Sequence, residues 1–349
     1  MTVGTLSPAV FSEPKETPNP IMYRFAVIAK TTALLCLIAG CALAPLSRVT
    51  PAARADNPGV VTADPAAFTQ IVAISDVHGE YENARRLLQN AHVIDAANQW
   101  TGGKTLLVVT GDSIDKGPQS VEVLRLWMAL QTDAPKSGGL VLVLLGNHEA
   151  EFLTDPTAKK SALFVGEAAQ EHLALADLTG NNAPIGHFLR TLPLAARVGK
   201  WAFCHAGWIP DMPVAEFTQK AHAVLSAGDY KNDLVLADDG ILEKKDAATG
   251  GKWYESPAEI HALEARLTKD GFYGVVFGHQ PDAFAMPDAV GFAANGRFVK
   301  IDSGMAPAKA GKGGNAGHLL VFAHPSELAK WGRPVEAYSV AADGTRVKL

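Results

Sequence analysis

Three largely apolar runs, each with a polar, glycine-containing stretch after it, constrain the fold of this chain most strongly. The runs cover residues 71–74, 105–110 and 140–145, and helical patterns over 82–91 and 119–130 separate them. Continuous apolar runs are typical of strands buried on both faces. Strands that alternate with helices indicate right-handed crossovers, so the sequence predicts an α/β layered fold.

The remainder of the chain is predicted to combine helices with further strands. The predicted helices cover 161–178, 184–192, 214–227 and 258–268, and the predicted strands 198–204, 274–277, 291–294, 297–301, 318–322 and 336–340. The first two of these helices are expected to form a cap over the site. Asn295-Gly296 predicts a hairpin turn. The polar stretch 229–257 is expected to be a surface loop.

Composition limits the class of protein. The 349 residues are 48% hydrophobic and 19% charged, which is ordinary for a globular protein with a sizeable core. The formal net charge is −5. Proteins that bind nucleic acid through bulk electrostatics are usually strongly basic, so no nucleic-acid partner is expected.

The first 41 residues are predicted to be an N-terminal extension and an export signal. Arg24 and Lys30 precede an apolar segment, 31–40, that is too short to span a membrane. The segment ends in Leu37-Ile38-Ala39-Gly40-Cys41, which resembles a bacterial lipobox. That resemblance implies a lipidated Cys41, membrane attachment through the lipid and a periplasmic location.

Two other interpretations of this segment stay open. Cleavage after Ala55 would make it an ordinary secretory signal and discard Cys41, and an uncleaved segment would act as an anchor. Residues 42–66, rich in Ala and Pro, are predicted to be a linker, and 67–349 the folded domain. Cys204 is the one cysteine of that domain, so an internal disulfide is excluded, and we expect a buried core thiol.

Polar motifs containing glycine follow five of the predicted strands. They are Asp76-Val77-His78-Gly79, Gly111-Asp112-Ser113-Ile114-Asp115-Lys116-Gly117, Gly146-Asn147-His148-Glu149, His205-Ala206-Gly207 and Gly278-His279. Any one of them could be a turn, but five in order indicate one site, because parallel strands present ligands at their carboxyl ends. Carboxylate, imidazole and amide groups suit Mn²⁺, Fe or Zn²⁺ better than thiolate-loving metals.

Together these motifs resemble the calcineurin-like metallophosphoesterases, and within them the phosphoprotein phosphatase branch and the bacterial Shewanella-like protein phosphatases. Trp100-Thr101-Gly102-Gly103 and Ile301-Asp302-Ser303-Gly304 also resemble this branch. The resemblance covers roughly residues 70 to 305. It implies an α/β fold of two packed mixed β-sheets flanked by helices, with a helical cap insertion and a dinuclear metal site at strand ends.

The resemblance also implies the metal ligands. Asp112 would bridge two divalent ions, of which Mn²⁺ is favoured and Fe or Zn²⁺ are alternatives. The ligands implied for the first ion are Asp76, His78 and Asp112, and those for the second are Asp112, Asn147, His205 and His279. Two such ions can activate water and clamp a phosphate through an in-line displacement.

The same resemblance assigns the acid–base and substrate-binding roles. His148 would protonate the leaving group and Asp115 would orient its imidazole. Lys116 and Asn147 would contact the substrate, and Glu149 would support the loop. The implied reaction is hydrolysis of phosphomonoesters, on phosphoproteins (Ser/Thr or Tyr) or small molecules, by metal-activated water without a covalent phosphoenzyme.

Two departures from the family leave alternatives open. Lys116 stands where the family usually has Arg, and Glu255, in Trp253-Tyr254-Glu255-Ser256, aligns with a position that often carries a phosphate-binding Arg. Replacement cations could come from Arg190, Arg197, Lys244 or Lys245. Asp302 is expected to contact a ligand histidine. The alternative functions are a phosphodiesterase, a dinucleoside polyphosphate hydrolase, or a metal-bearing binding protein without turnover.

Overall fold

A computed structural model describes residues 57–349 except 208, 307–314, 333 and 335, and it leaves the side chains of 329–331 undescribed. The predicted export signal, with Cys41 at its end, and residues 42–56 of the predicted linker lie outside the described residues. Within the part of the chain that the structure describes, no helix is long and apolar enough to cross a membrane.

The strands and helices of the described residues are numbered in chain order. The strands are β1 Val60–Ala63, β2 Gln70–Ile74, β3 Thr105–Val109, β4 Leu140–Val143, β5 Ala195–Val198, β6 Trp201–Cys204, β7 Gly274–Phe277, β8 Gly291–Ala293, β9 Phe298–Lys300, β10 His318–Ala323, β11 Glu336–Ala341 and β12 Arg346–Lys348. The helices are α1 Tyr81–Asn90, α2 Ser120–Asp133, α3 Asn147–Thr154, α4 Ala162–Gln170, α5 Leu175–Thr179, α6 Pro184–Thr191, α7 Val214–Ala227, α8 Asp233–Leu236, α9 Pro257–Lys269 and α10 Pro325–Trp331.

The strands form two six-stranded mixed sheets, which confirms the predicted α/β fold. Their orders are β1-β5-β6-β7-β9-β8 and β12-β11-β10-β2-β3-β4. In the second sheet β2, β3 and β4 are parallel, and in the first sheet β6 and β7 are parallel. The five strands that precede the polar motifs therefore form two parallel sets, one in each sheet. Within each set the carboxyl ends lie at the same edge of the sheet.

The core explains why the strands read as continuous apolar runs. Ile71 and Ala73 of β2 belong to a buried cluster with residues of both sheets, whereas Val72 and Ile74 belong to a cluster with the helices. The Trp201 ring of β6 lies 5.0 Å from the Phe322 ring of β10, which joins the two sheets directly. Each central strand is therefore covered on both faces, as its sequence predicted.

The predicted boundary between linker and domain at residue 66 is wrong. Residues 60–63 lie in the predicted linker but form β1, which pairs in parallel with β5. The buried Asn57 side chain donates a hydrogen bond of 2.7 Å to the Leu192 carbonyl. The folded domain therefore includes the described residues from Asn57 onward, since backbone pairing and a buried amide attach them to the first sheet.

Two other predicted elements are divided by turns. The helix predicted over 161–178 is α4 and α5, separated by a turn in which His172 has a φ of 63°. The strand predicted over 198–204 is a hairpin of β5 and β6 whose turn contains Gly199 at a φ of 58°. Glu171-His172 and Gly199-Lys200 lie at the two turns, and apolar residues on both sides of these short breaks made each stretch read as one element. The hairpin predicted at Asn295-Gly296 is confirmed by β8 and β9.

The stretch 229–257 is not a surface loop. It contains α8, and the side chains of Ile241, Leu242 and Trp253 within it are buried. The backbone N–H of Ala206 donates to the Ile241 carbonyl, at 3.3 Å, directly after the His205 motif. These and other buried apolar side chains in a polar sequence attach this segment to the core.

Candidate metal centre and active site

The site residues follow the carboxyl ends of β2, β3, β4, β6 and β7, and their backbones are strained. Six non-glycine residues of the motifs have left-handed φ values: Asp76 51°, His78 45°, Asp112 55°, Asp115 67°, Lys116 61° and His279 64°. Such conformations cost on the order of 1–3 kcal/mol each and concentrate at active sites. The packing of the surrounding structure therefore offsets the backbone strain of these loops.

Two glycines let backbone lie directly against carboxylates of the site. A Cβ at Gly146 would lie 2.2 Å from Asp112 Oδ1, and a Cβ at Gly278 would lie 2.1 Å from Asp76 Oδ2. Real Cβ atoms do not approach so closely, so any other residue would displace the carboxylate. Gly146 and Gly278 are therefore required at these positions on steric grounds.

The first group of candidate ligands contains His78 and Asp112. His78 Nδ1 donates to the Ile114 carbonyl at 2.9 Å, which leaves Nε2 as an acceptor. This Nε2 lies 3.3 Å from Asp112 Oδ2 and accepts from Lys116 Nζ at 2.8 Å. Asp76 Oδ1 lies 4.0 Å from the same nitrogen. Burial raises the pKa of Asp76.

The second group shares Asp112. His205 Nδ1 donates to the Thr110 carbonyl at 2.8 Å, and His205 Nε2 lies 3.0 Å from Asn147 Oδ1 and 3.4 Å from Asp112 Oδ1. The His279 ring lies 4.8 Å from the His205 ring. His279 Nε2 is buried and has no hydrogen-bond partner among the described residues.

These groups fit divalent cations. Potential ligand atoms of Asp112, His205 and His279 lie within 4.8 Å of one another, and so do those of His78, Asp112 and His148. Burial raises the pKa of Asp112, but the neighbouring imidazoles outweigh burial and hold that pKa well below its usual range. Buried carboxylates beside converging acceptor atoms need positive charge, which metal ions supply. Asp112 belongs to both groups, as a bridging ligand would.

His148 and Asp115 form a dyad beside the first group. Asp115 Oδ2 lies 2.8 Å from His148 Nδ1, and the Asp115 side chain is fully buried. His148 Nε2 lies 3.9 Å from Asp112 Oδ2, and His148 lines the cavity. The carboxylate therefore fixes the orientation of the ring and leaves Nε2 as the nitrogen available to exchange a proton with a substrate.

Glu149 organises the backbone behind Asp112. Its carboxylate accepts hydrogen bonds from the N–H groups of Asp112 (3.0 Å), Ser113 (2.6 Å), Ile114 (3.3 Å) and Gly146 (2.9 Å). Burial and the charge of Asp112 raise the pKa of Glu149 to about 7. The predicted supporting role agrees with this geometry, because one side chain joins two of the motif loops.

The site opens into a cavity of about 520 Å³. Lys116 and Lys245 line it as cations, and Asp282, Asp288 and Asp302 line it as carboxylates. Leu163 of α4 also lines the cavity, as expected of a helical cap.

Glu255 is exposed and is absent from the cavity lining, whereas Lys245 is part of it. Lys244 is buried and bonds to Asp239. Asp302 accepts from Gly304 N at 2.9 Å, and within the described residues no hydrogen bond joins it to a ligand histidine.

Sequence reasoning missed Glu243. Its Oε1 accepts a hydrogen bond of 2.7 Å from Asn147 Nδ2, and its Oε2 lies 3.9 Å from His279 Nε2. No sequence pattern indicated it, since it follows no strand and lies in a polar stretch. The predicted metal ligands lie in the two ligand groups, and Lys116, His148 and Asp115 lie directly beside them.

Known proteins resemble this chain in sequence and in fold. The Calcineurin-like phosphoesterase family model matches residues 69–283. Shewanella-like protein phosphatase 1 of Plasmodium berghei is 25% identical over 68% of this chain and 67% of its own length. A symmetrical bis(5'-nucleosyl)-tetraphosphatase of Methylococcus capsulatus is 33% identical over 46% of this chain and 51% of its own length.

A solved structure shares the fold. The cold-active protein-tyrosine phosphatase of a psychrophilic Shewanella species superimposes with a TM-score of 0.63 at 22% identity, covering 88% of this chain and 87% of that one. The family model spans more than half of the chain and includes every candidate metal ligand. The chain therefore belongs to the calcineurin-like phosphoesterase family and is a metallophosphoesterase.

Proposed function

We propose that this protein hydrolyses phosphomonoesters, with phosphorylated proteins (at Ser/Thr or Tyr) or small phosphomonoesters as substrates. The observation that carries the proposal is the His148–Asp115 dyad, in which a buried carboxylate holds one ring nitrogen at 2.8 Å and the residue lines the cavity. A proton donor in this position suits a leaving alkoxide, which needs a proton as the phosphorus–oxygen bond breaks.

The metal centre is proposed to hold two divalent ions, Mn²⁺ in preference to Fe or Zn²⁺. Asp76, His78 and Asp112 would hold one, and Asp112, Asn147, His205 and His279 the other. When bound, the ions supply Lewis acidity toward phosphate oxygens and lower the pKa of water. The protein itself positions the ligand side chains and keeps the His148 ring oriented.

Two lysines are proposed to contact the phosphate. Lys116 Nζ lies 2.8 Å from His78 Nε2, and Lys245 lines the same cavity. Each carries a point charge without the planar two-pronged geometry of arginine. Asn147 is proposed to contact the substrate as well as the second ion.

The cavity favours a monoester over a dinucleoside polyphosphate. Within the described ranges, its lining includes no Phe, Tyr or Trp side chain. Recognition of nucleobases commonly uses aromatic stacking, worth about 1–3 kcal/mol per base. A diadenosine substrate would find no such surface among these residues.

Substrate profiling tests the proposal. Purified Mn²⁺-loaded protein is assayed on p-nitrophenyl phosphate, bis-p-nitrophenyl phosphate, diadenosine tetraphosphate and phosphopeptides carrying Ser, Thr or Tyr phosphate. We expect hydrolysis of the monoesters. Activity on the diester or on the tetraphosphate alone would overturn the proposal, and no hydrolysis of any ester would favour a binding protein without turnover.

We also propose that the chain is exported to a bacterial periplasm and attached to a membrane through lipidated Cys41. The support is the sequence from Arg24 to Cys41 alone. Incorporation of radiolabelled palmitate is expected in cells that express the wild type and is expected to be lost in Cys41→Ser. Label that persists in this variant would exclude the lipobox and leave an ordinary secretory signal or an anchor.

A further inference from the structure

We infer that Glu243 is a positioning residue for Asn147 and thereby sets the affinity of the second metal site. The inference rests on the two-ion centre proposed above. It concerns a residue outside the five strand-end motifs. Glu243 is contributed by the stretch between α8 and α9, which sequence reasoning treated as a surface loop.

The contacts of the Asn147 amide carry the inference. Its Nδ2 donates to Glu243 Oε1 at 2.7 Å, and its Oδ1 lies 3.0 Å from His205 Nε2. A carboxylate accepts hydrogen bonds but cannot donate them, so only the NH₂ group of the amide can face Glu243. The amide oxygen is then turned toward His205, where a metal ion would take it as a ligand.

The second oxygen of Glu243 acts on the same site. Oε2 lies 3.9 Å from His279 Nε2 and 3.7 Å from Lys245 Nζ. Glu243 does not join the group of Asp112, His205 and His279, whose potential ligand atoms lie within 4.8 Å of one another. Its negative charge therefore lies beside the second site, which favours a divalent cation there without direct coordination.

The backbone around Glu243 is tied to both histidine segments of this site. The Ile241 carbonyl accepts from Ala206 N at 3.3 Å, one residue after His205. The Lys244 carbonyl accepts from Gln280 Nε2 at 2.6 Å, one residue after His279. Leu242 and Lys244 on either side are buried, while the Glu243 side chain is 20% exposed. The carboxylate is thus held by a packed segment.

Metal titration of three variants tests this inference. Binding of Mn²⁺ to metal-free protein is followed by calorimetry and by the electron paramagnetic resonance signal of coupled Mn²⁺ pairs, for the wild type, Glu243→Ala, Glu243→Gln and Glu255→Ala. Glu255→Ala is the matched control, since it removes an exposed glutamate of the same segment that does not line the cavity.

We expect Glu243→Ala to weaken the binding of the second ion by about 10- to 100-fold, which is the usual effect of losing a partner that orients a ligand. The affinity for the first ion should stay unchanged. Glu243→Gln keeps an acceptor oxygen for Asn147 Nδ2 and should lose less. The coupled-pair signal should require more Mn²⁺ in both variants, and Glu255→Ala should match the wild type.

Two results would overturn the inference. Wild-type affinity for both ions in Glu243→Ala would show that Asn147 needs no such partner. Equally weakened binding of both ions, together with a lower melting temperature of the metal-free protein, would show a general structural role. Because the readout is metal binding, these results stay distinct from a failure to find phosphomonoesterase activity.

Discussion

His148 lines the cavity, and its Nδ1 lies 2.8 Å from Asp115 Oδ2. The Asp115 carboxylate is fully buried. The orientation of His148 therefore depends on the buried Asp115 side chain. The two ligand sets proposed above use neither residue, although a nitrogen of His148 lies within 4.8 Å of potential ligand atoms of His78 and Asp112.

Replacing His148 should therefore remove turnover while keeping metal. We expect His148→Asn to lower kcat by about 10²- to 10⁴-fold, the usual contribution of a general acid. Metal content should stay near that of the wild type. His261→Asn, which changes an exposed histidine of α9, serves as the control and should leave both quantities unchanged. Loss of metal in His148→Asn would show that His148 is a ligand instead.

The residue types at the site could be predicted from the sequence because each follows a strand end next to glycine. Glu149 was predicted to support the loop, but its four backbone donors were not foreseeable, since they come from two separate loops. Glu243 could not be predicted, because its approach to Asn147 depends on how a polar segment packs. Contacts between distant segments are the part that local patterns do not encode.

At the scale of the elements, the strand-end loops fit together with little free space. The loop after β7 brings Gly278 against the loop after β2, which carries Ser75 and Asp76. His279 N also donates to Asp76 Oδ2, at 2.9 Å. The two loops belong to different sheets, so their close approach fixes how the sheets' ligands meet.

Adding a methyl group at Gly278 should disturb the first metal site. A Cβ there would lie 1.9 Å from Ser75 Oγ and 2.1 Å from Asp76 Oδ2, so Gly278→Ala must move the carboxylate. We expect weaker binding of the first ion, measured by metal titration. Gly166→Ala is a control at a glycine of α4, where a Cβ would meet nothing within 4 Å and φ is not left-handed. Wild-type metal affinity in Gly278→Ala would contradict the described packing.

Helices α2 and α4 are joined by carboxyl groups whose titration should be visible in stability. Glu167 accepts from Ser120 N and Val121 N at the start of α2. Burial and the neighbouring Glu122 carboxyl raise the pKa of Glu167 to about 8 from an ordinary value of 4.5. Folded protein then binds this proton more tightly than unfolded protein does. The contribution is full below the ordinary value and is lost as pH rises toward 8.

The substitution Glu122→Gln should flatten this pH dependence. It removes one charge of the pair, so the pKa of Glu167 should move back toward its ordinary value. Melting temperatures measured across the interval from 4.5 to about 8 should fall with pH in the wild type and fall less in the variant. Parallel curves for the two proteins would contradict the coupling.

At the scale of the whole molecule, both sheets contribute ligands to one centre. Asp76, His78, Asp112 and Asn147 follow strands of one sheet, and His205 and His279 follow strands of the other. The strands and their ends were predictable from apolar runs. The sheet order was not, because β10 inserts between β2 and β11 from far along the chain. β1 was also missed, since it is a short edge strand in a stretch that resembles a linker.

This arrangement makes the metal centre dependent on the packing of the two sheets. Trp201 and Phe322 lie between them and are both buried. Asp112 occupies the position common to both ligand groups, with imidazoles of both sheets 3.3 to 3.4 Å from its oxygens. A change at Asp112 should therefore affect both ions, whereas a change at any other ligand should affect one ion first.

The most direct test of a two-ion phosphomonoesterase is metal content measured on the same samples as p-nitrophenyl phosphate hydrolysis, for the wild type and Asp112→Asn. We expect two divalent ions per chain and turnover in the wild type, and loss of both ions and of turnover in folded Asp112→Asn. Hydrolysis by wild-type protein from which all metal has been removed, or two ions retained by Asp112→Asn, would contradict the proposed centre.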